Sequence, residues 1–151
     1  MATEGLTELE DEAWRGFLMS HERIWRQIEA DLAPFGVSST EYSVLALLGE
    51  AGRRGIRLSE LAEQRMMSTA GLSRLADRLE QRGLVERCRV ATDGRGYELT
   101  LTPAGRSLLR KAWKQQRAGI RRLFLDKLSD DQLRALAGAW ESLAEPDSGE
   151  S

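Results

Sequence analysis

Residues 57–87, RLSELAEQRMMSTAGLSRLADRLEQRGLVER, hold two helical periods with room for only a tight turn between them. A short helix starting near Ser59 carries Leu61 and Ala62 inward and breaks at Met66, Met67 and Ser68. A second helix runs from about Thr69 to Arg82, with Ser68 as its N-cap and Gly83 as its C-terminal stop. Leu72, Leu75, Ala76 and Leu79 recur at three and four and form its buried stripe. That leaves Thr69, Ala70, Ser73, Arg74, Asp77 and Gln81 on the opposite face. Small and polar residues near the N-terminus of such a helix let it lie against a major groove without steric obstruction, which is the design of a recognition helix.

A second constraint follows at once. In ATDGRGYELT, residues 91–100, Asp-Gly and a further glycine stand between two runs with a period of two. Tyr97, Leu99 and Leu101 alternate with Glu98, Thr100 and Thr102, and Leu84, Val85, Cys88 and Val90 alternate more roughly with Glu86, Arg87 and Arg89. Period two puts one face on a core and one in water, and Asp-Gly between such runs is a hairpin signal because glycine reaches positive φ without steric cost. The segment is predicted to be a β-hairpin with Arg95 near its tip.

Outside this centre the chain reads as helix. Trp14, Phe17, Leu18, His21, Ile24, Trp25, Ile28 and Leu32 make one apolar face of a long amphipathic helix that Pro34 and Gly36 end. SSTEYSVLALLGEAG supplies Ser and Thr caps, an apolar run from Tyr42 to Leu48 and a glycine stop. Thr102 and Pro103 open another helix, with Leu108, Leu109, Ala112, Trp113, Ile120, Leu123 and Phe124 along one side. A last helix opens on a capping box, Ser129 to Gln132, and carries Leu133, Leu136, Ala137, Trp140 and Leu143. The helices of the two termini offer more apolar surface than one small central domain can cover.

The formal net charge of −2 hides an uneven distribution. Residues 1–52 are net −7, residues 53–106 net +4 and residues 107–151 net +1, and all 11 bases of the middle third are arginines. Arginine without lysine suits planar, bidentate contacts to phosphate or guanine. The acidic start MATEGLTELEDE is unlike a signal peptide, and no stretch approaches the roughly 18 uncharged apolar residues of a membrane span, so a cytoplasmic protein is expected. One cysteine, Cys88, and one histidine, His21, are too few for the usual His/Cys metal sites and have no catalytic motif around them, so neither a cofactor nor an enzyme is expected.

With LSELAEQ, STAGLSRLADRLEQRGLVER, the wing DGRG and LTLTPAGR in this order, residues 40–105 resemble the MarR family of bacterial transcriptional regulators. The family's Asp-x-Arg wing pattern is matched by Asp93 and Arg95. The resemblance implies a mainly α chain with a small β-hairpin wing, a winged helix-turn-helix with N- and C-terminal dimerisation helices. The corresponding parts are residues 1–36, 37–102 and 103–151. It also implies a homodimer on double-stranded DNA with an imperfectly palindromic operator. Ser68, Thr69, Ala70, Ser73 and Arg74 would face the major groove, with Asp93 and Arg95 in the wing. Arg53, Arg54, Arg57, Arg87 and Arg89 would reach phosphates.

Many such regulators respond to small aromatic acids or to oxidants. A repressor released by an aromatic effector would place it beside Trp14, Phe17, His21 and Trp25 of the first helix, although an aromatic stripe at helical spacing also suits a core or a dimer interface. A redox-responsive regulator is the weaker alternative, because Cys88 sits on a strand and reads as a small hydrophobe. A winged module that binds protein is the other alternative, and the polar face around Ser73 and Arg74 argues for a groove instead.

Overall fold

The computed structural model describes residues 5–89 and 96–144. In chain order these are α1 (Glu8–Leu32), a 3-10 turn (Ala33–Phe35), α2 (Ser39–Ala51), β1 (Ile56–Arg57), α3 (Leu58–Gln64), α4 (Thr69–Gln81), β2 (Val85–Arg89), β3 (Tyr97–Leu101), α5 (Pro103–Leu123), a second 3-10 turn (Leu125–Lys127) and α6 (Asp130–Ala144). The chain divides into two units, one of residues up to Ile24 together with those from Arg117 onward, the other Trp25–Gln116.

The Trp25–Gln116 unit holds the winged helix-turn-helix. Its core runs from Leu32 to Ala112 and includes Val44, Leu45 and Leu48 of α2, Leu61 of α3, Leu72, Leu75 and Leu79 of α4, and Leu99 and Leu101 of β3. Each such leucine contributes about 1.5–3 kcal/mol by leaving water. The half-buried Tyr42 packs against this core, and burial pushes its phenol above the ordinary value.

The three strands are antiparallel in the order β1-β3-β2, with Ile56 opposite Leu99 and Val85 opposite Leu101. The expected hairpin is β2 and β3, and β1 joins it as a third strand that two residues between glycine and helix signals do not announce. Gly55 leads into β1 at φ 72°, where an added Cβ would lie 3.0 Å from the Leu99 carbonyl oxygen.

Local signals set the element ends. Ser38 and Glu41 form a capping box on α2, and Arg78 of α4 and Arg82 at its C-cap approach the Glu41 carboxylate at 3.4 and 4.0 Å. Arg82 also donates to the Gly36 carbonyl at 2.6 Å, behind a glycine held at φ 67°. At the start of α5 the Thr102 hydroxyl donates to the Gly83 carbonyl at 2.6 Å and accepts from the Gly105 N–H at 3.0 Å. A side chain at Gly105 would overlap the Leu84 carbonyl oxygen, so the glycine lets α5 lie directly on the chain entering β2.

In the other unit α1 starts at Glu8, earlier than the apolar period from Trp14 suggests, because Thr7 and Glu10 make a capping box. The Thr7 N–H donates to Glu10 Oε2 at 2.7 Å, and these hydrogen bonds hold the Glu10 carboxyl below the ordinary value. Ser129 and Gln132 cap α6 reciprocally at 2.9 and 3.3 Å. No residue of α6 is buried.

Candidate nucleic-acid interface

The helix-turn-helix is α3, the turn at residues 65–68, and α4. Ser68 is extended and its Oγ accepts the Gly71 N–H at 3.1 Å, so α4 begins where its serine cap stands. Leu72, Leu75, Ala76 and Leu79 face the core, as the spacing requires. Ser68, Thr69, Ala70 and Arg74 are exposed, while Ser73 and Asp77 are half-buried. Five of the residues assigned to the major groove therefore share one side of α4 and its cap. Asp93 and Arg95 lie outside the described residues.

The arginines divide into two groups. Arg87 of β2 pairs through Nη1 with Asp77 Oδ1 at 2.7 Å and Glu80 Oε2 at 3.5 Å, and its Nη2 donates to the Ser73 carbonyl at 3.1 Å. Arg87 was expected at phosphates, but strand period two directs it onto α4, where two carboxylates and a carbonyl occupy it. The pair neutralises Asp77, which would otherwise set a negative charge on the polar face of α4. Arg78 and Arg82 are likewise committed to α2 and the turn before it.

By contrast, the guanidinium groups of Arg53, Arg54, Arg65, Arg74 and Arg89 make no hydrogen bond or ion pair among the described residues. Arg65 is an addition to the expected set. Its signal was a base at the last turn of the short helix, directly before the break.

Cys88, read from the sequence as a small hydrophobe on a strand, is exposed. With Val85 facing the core, period two puts Cys88 on the same side as the exposed Glu86, opposite Glu98. Of the residues assigned to an aromatic effector, Trp14, Phe17 and His21 stack along α1 in the terminal unit. Their centroids lie 5.8 Å apart for Trp14–Phe17 and 6.0 Å for Phe17–His21, and Trp140 of α6 sits 6.0 Å from Phe17. Trp25 belongs to the winged unit and is 40 % exposed. Among the described residues no cluster of three His, Cys, Asp or Glu is placed to hold a metal ion, and no helix is long and apolar enough to cross a membrane.

The arrangement, a capped helix with a small-residue face next to a three-stranded wing, matches solved proteins closely. AbsC, a MarR family transcriptional regulator from Streptomyces coelicolor, is 35 % identical, with 94 % of this chain and 96 % of that one covered at a TM-score of 0.89. The chain belongs to the MarR family. The MarR family model itself matches residues 35–96 of this regulator, from the turn before α2 to the start of β3. Sco3205, a second MarR family regulator of Streptomyces coelicolor, solved in complex with DNA, is 27 % identical over 94 % of this chain and 95 % of its own, with a TM-score of 0.88. The HTH-type transcriptional repressor Rv2887 of Mycobacterium tuberculosis is 29 % identical over 117 residues, 78 % of this chain and 82 % of that one. This MarR-family chain is a transcriptional regulator and not an enzyme.

Proposed function

We propose that this regulator is a cytoplasmic homodimer that binds an imperfectly palindromic operator and represses transcription. The observation that carries the reading is Arg74. It stands exposed and, among the described residues, without an ion pair, on the helix face that also carries Ser68, Thr69, Ala70 and Ser73, so its guanidinium is available to guanine O6 and N7. The DNA complex of Sco3205 and the repressor name of Rv2887 support the same function. The half-exposed Trp14, Phe17 and Trp140, with Leu143 at 75 % exposure, favour a second copy of the chain as the cover for the terminal helices. Two such subunits would present their α4 helices to successive major grooves about 34–36 Å apart, with Ser68, Thr69, Ala70, Ser73 and Arg74 toward bases and Asp93 and Arg95 toward the flanking minor groove. An aromatic effector beside Trp14, Phe17, His21 and Trp25 would act by opposing this DNA-bound arrangement.

Duplexes selected by the protein from a random library provide the test. Arg74→Ala should cost about 1–3 kcal/mol on selected DNA and little on scrambled DNA, whereas Arg95→Ala should weaken both and flatten the salt dependence. Equal losses on both DNAs for Arg74→Ala would make α4 a positioning helix. No loss for either variant, with folding intact, would favour the protein-binding alternative.

A further inference from the structure

α3 ends in a pair of hydrogen bonds that ordinarily call for glycine. The Met67 N–H donates to the Ala62 carbonyl at 2.8 Å and the Met66 N–H to the Glu63 carbonyl at 3.0 Å, the two bonds of a Schellman stop. The residue between helix and exit must then be left-handed, and here it is Met66, at φ 51°. It is the one non-glycine residue with positive φ among the described residues. A side chain in this conformation crowds its own carbonyl, which is why glycine or asparagine usually stands there.

The two methionines of the turn part company. Met67 packs against the core, so its apolar chain has an evident use in the fold. Met66 is 97 % exposed, the largest exposure of any large hydrophobic residue described. It gains nothing from burial and costs backbone strain, so the fold gives no reason for it. It also stands two residues before Ser68, the cap of α4, on the path by which the chain enters the DNA-facing helix. Beside it, Arg65 is half-buried with its Nε enclosed and without a hydrogen-bond partner, and no acid among the described residues pairs with it.

We infer that Met66 is a specificity-determining residue that packs on thymine C5-methyl groups at the edge of the major groove, with Arg65 anchoring the turn on the adjacent phosphate. Thymine is the base that offers an apolar group in the major groove, and an unbranched thioether adapts to it without a fixed geometry. The left-handed backbone holds the side chain away from the domain, where a right-handed residue would turn it elsewhere. The inference rests on α4 facing DNA and deepens that reading.

The full-length protein and its Met66→Gly, Met66→Leu and Arg74→Ala variants would be measured on a duplex selected from random sequence, and on copies in which single thymines are replaced by uracil. Met66→Gly relieves the strain and should raise the melting temperature while weakening binding roughly three- to tenfold. At one or more positions per half-site, removing the thymine methyl should cost the wild type about fourfold, should cost Met66→Leu the same, and should cost Met66→Gly nothing. Arg65→Ala should weaken selected and scrambled DNA alike. Undiminished affinity of Met66→Gly, or identical uracil penalties in wild type and Met66→Gly, overturns the inference. If Arg74→Ala still loses specificity in that case, the DNA-reading role of α4 stands and only the role of Met66 falls. If no variant changes DNA binding, the reading beneath it falls as well.

Discussion

Leu72 in the winged unit is fully buried, whereas Leu143 in the terminal-helix unit is 75 % exposed. Both sit on the apolar stripe of an amphipathic helix. Among the described residues, all 17 buried hydrophobic residues lie between Leu32 and Ala112, inside the winged unit, while 8 of the 12 large exposed ones lie in the terminal unit. The same helical period thus ends in two states. In the winged unit, helices and a sheet close around one another within a single chain, and its polar groups are spent on that closure. Glu41 caps α2 and receives two arginines, and Arg87 is fastened to α4. In the terminal unit, capping boxes at Thr7 and Ser129 begin the helices well, yet Trp14, Phe17 and Trp140 keep half their surface. Good local signals make a helix, and only a facing surface makes it a core.

The sharpest way to break this contrast is to cut a side chain of the same kind in each region. Leu72→Ala should cost about 2–5 kcal/mol, read by denaturant unfolding and independent of protein concentration. Trp140→Ser should instead weaken association, so that its melting temperature falls steeply with dilution and its sedimentation shifts toward monomer. An equal loss at every concentration for Trp140→Ser would mean that the terminal unit is closed on itself.

Two helical glycines sharpen the comparison with opposite signs. Gly105→Ala drives a Cβ into the Leu84 carbonyl and should cost up to about 3 kcal/mol, although alanine is the better helix former. Gly138 of α6 has nothing within 4 Å of the position a Cβ would take, so Gly138→Ala should stabilise by up to about 1 kcal/mol. Thermal melts of both variants check the signs, and a stabilising Gly105→Ala would remove the close approach of α5 from the account.

The smallest effect belongs to the first turn of α1. Thr7→Ala removes the reciprocal cap with Glu10 and should speed amide exchange over the first turn with no change in DNA affinity. The Glu10 carboxyl is held low by those hydrogen bonds, so its contribution is present above the ordinary glutamate range and is lost as pH falls through the lowered value. The exchange difference between wild type and Thr7→Ala should therefore shrink on acidification, and a difference that persists at low pH would assign the cap to the threonine alone.

Much of the helix-turn-helix was legible because it is local. Ser68 as cap, Leu72 to Leu79 as inward stripe and Gly83 as stop depend on neighbours within a turn or two, and the spacing alone specifies them. The earlier start of α1 was legible too, in the Thr7–Glu10 spacing, but the apolar period beginning at Trp14 outweighed it. Cys88 was placed on the wrong side because the alternation in β2 is rough, and only its pairing with β3 decides which residues face inward.

What the sequence by itself determined is the helix-turn-helix, the hairpin that follows it and the family, since caps, glycine stops and apolar periods act over a few residues. Which arginines stay available to DNA was decided only by the tertiary structure. Arg87 and Arg74 are alike as sequence, an arginine on a half-polar face, and they differ because folding brings Asp77 and Glu80 to one and no acid among the described residues to the other. The strain at Met66 belongs to the same level, since a left-handed residue follows from how α3 must turn to let α4 pack, and no propensity for methionine foretells it. Local free energies write the elements, and the long-range contacts of packing choose the partner of each charge.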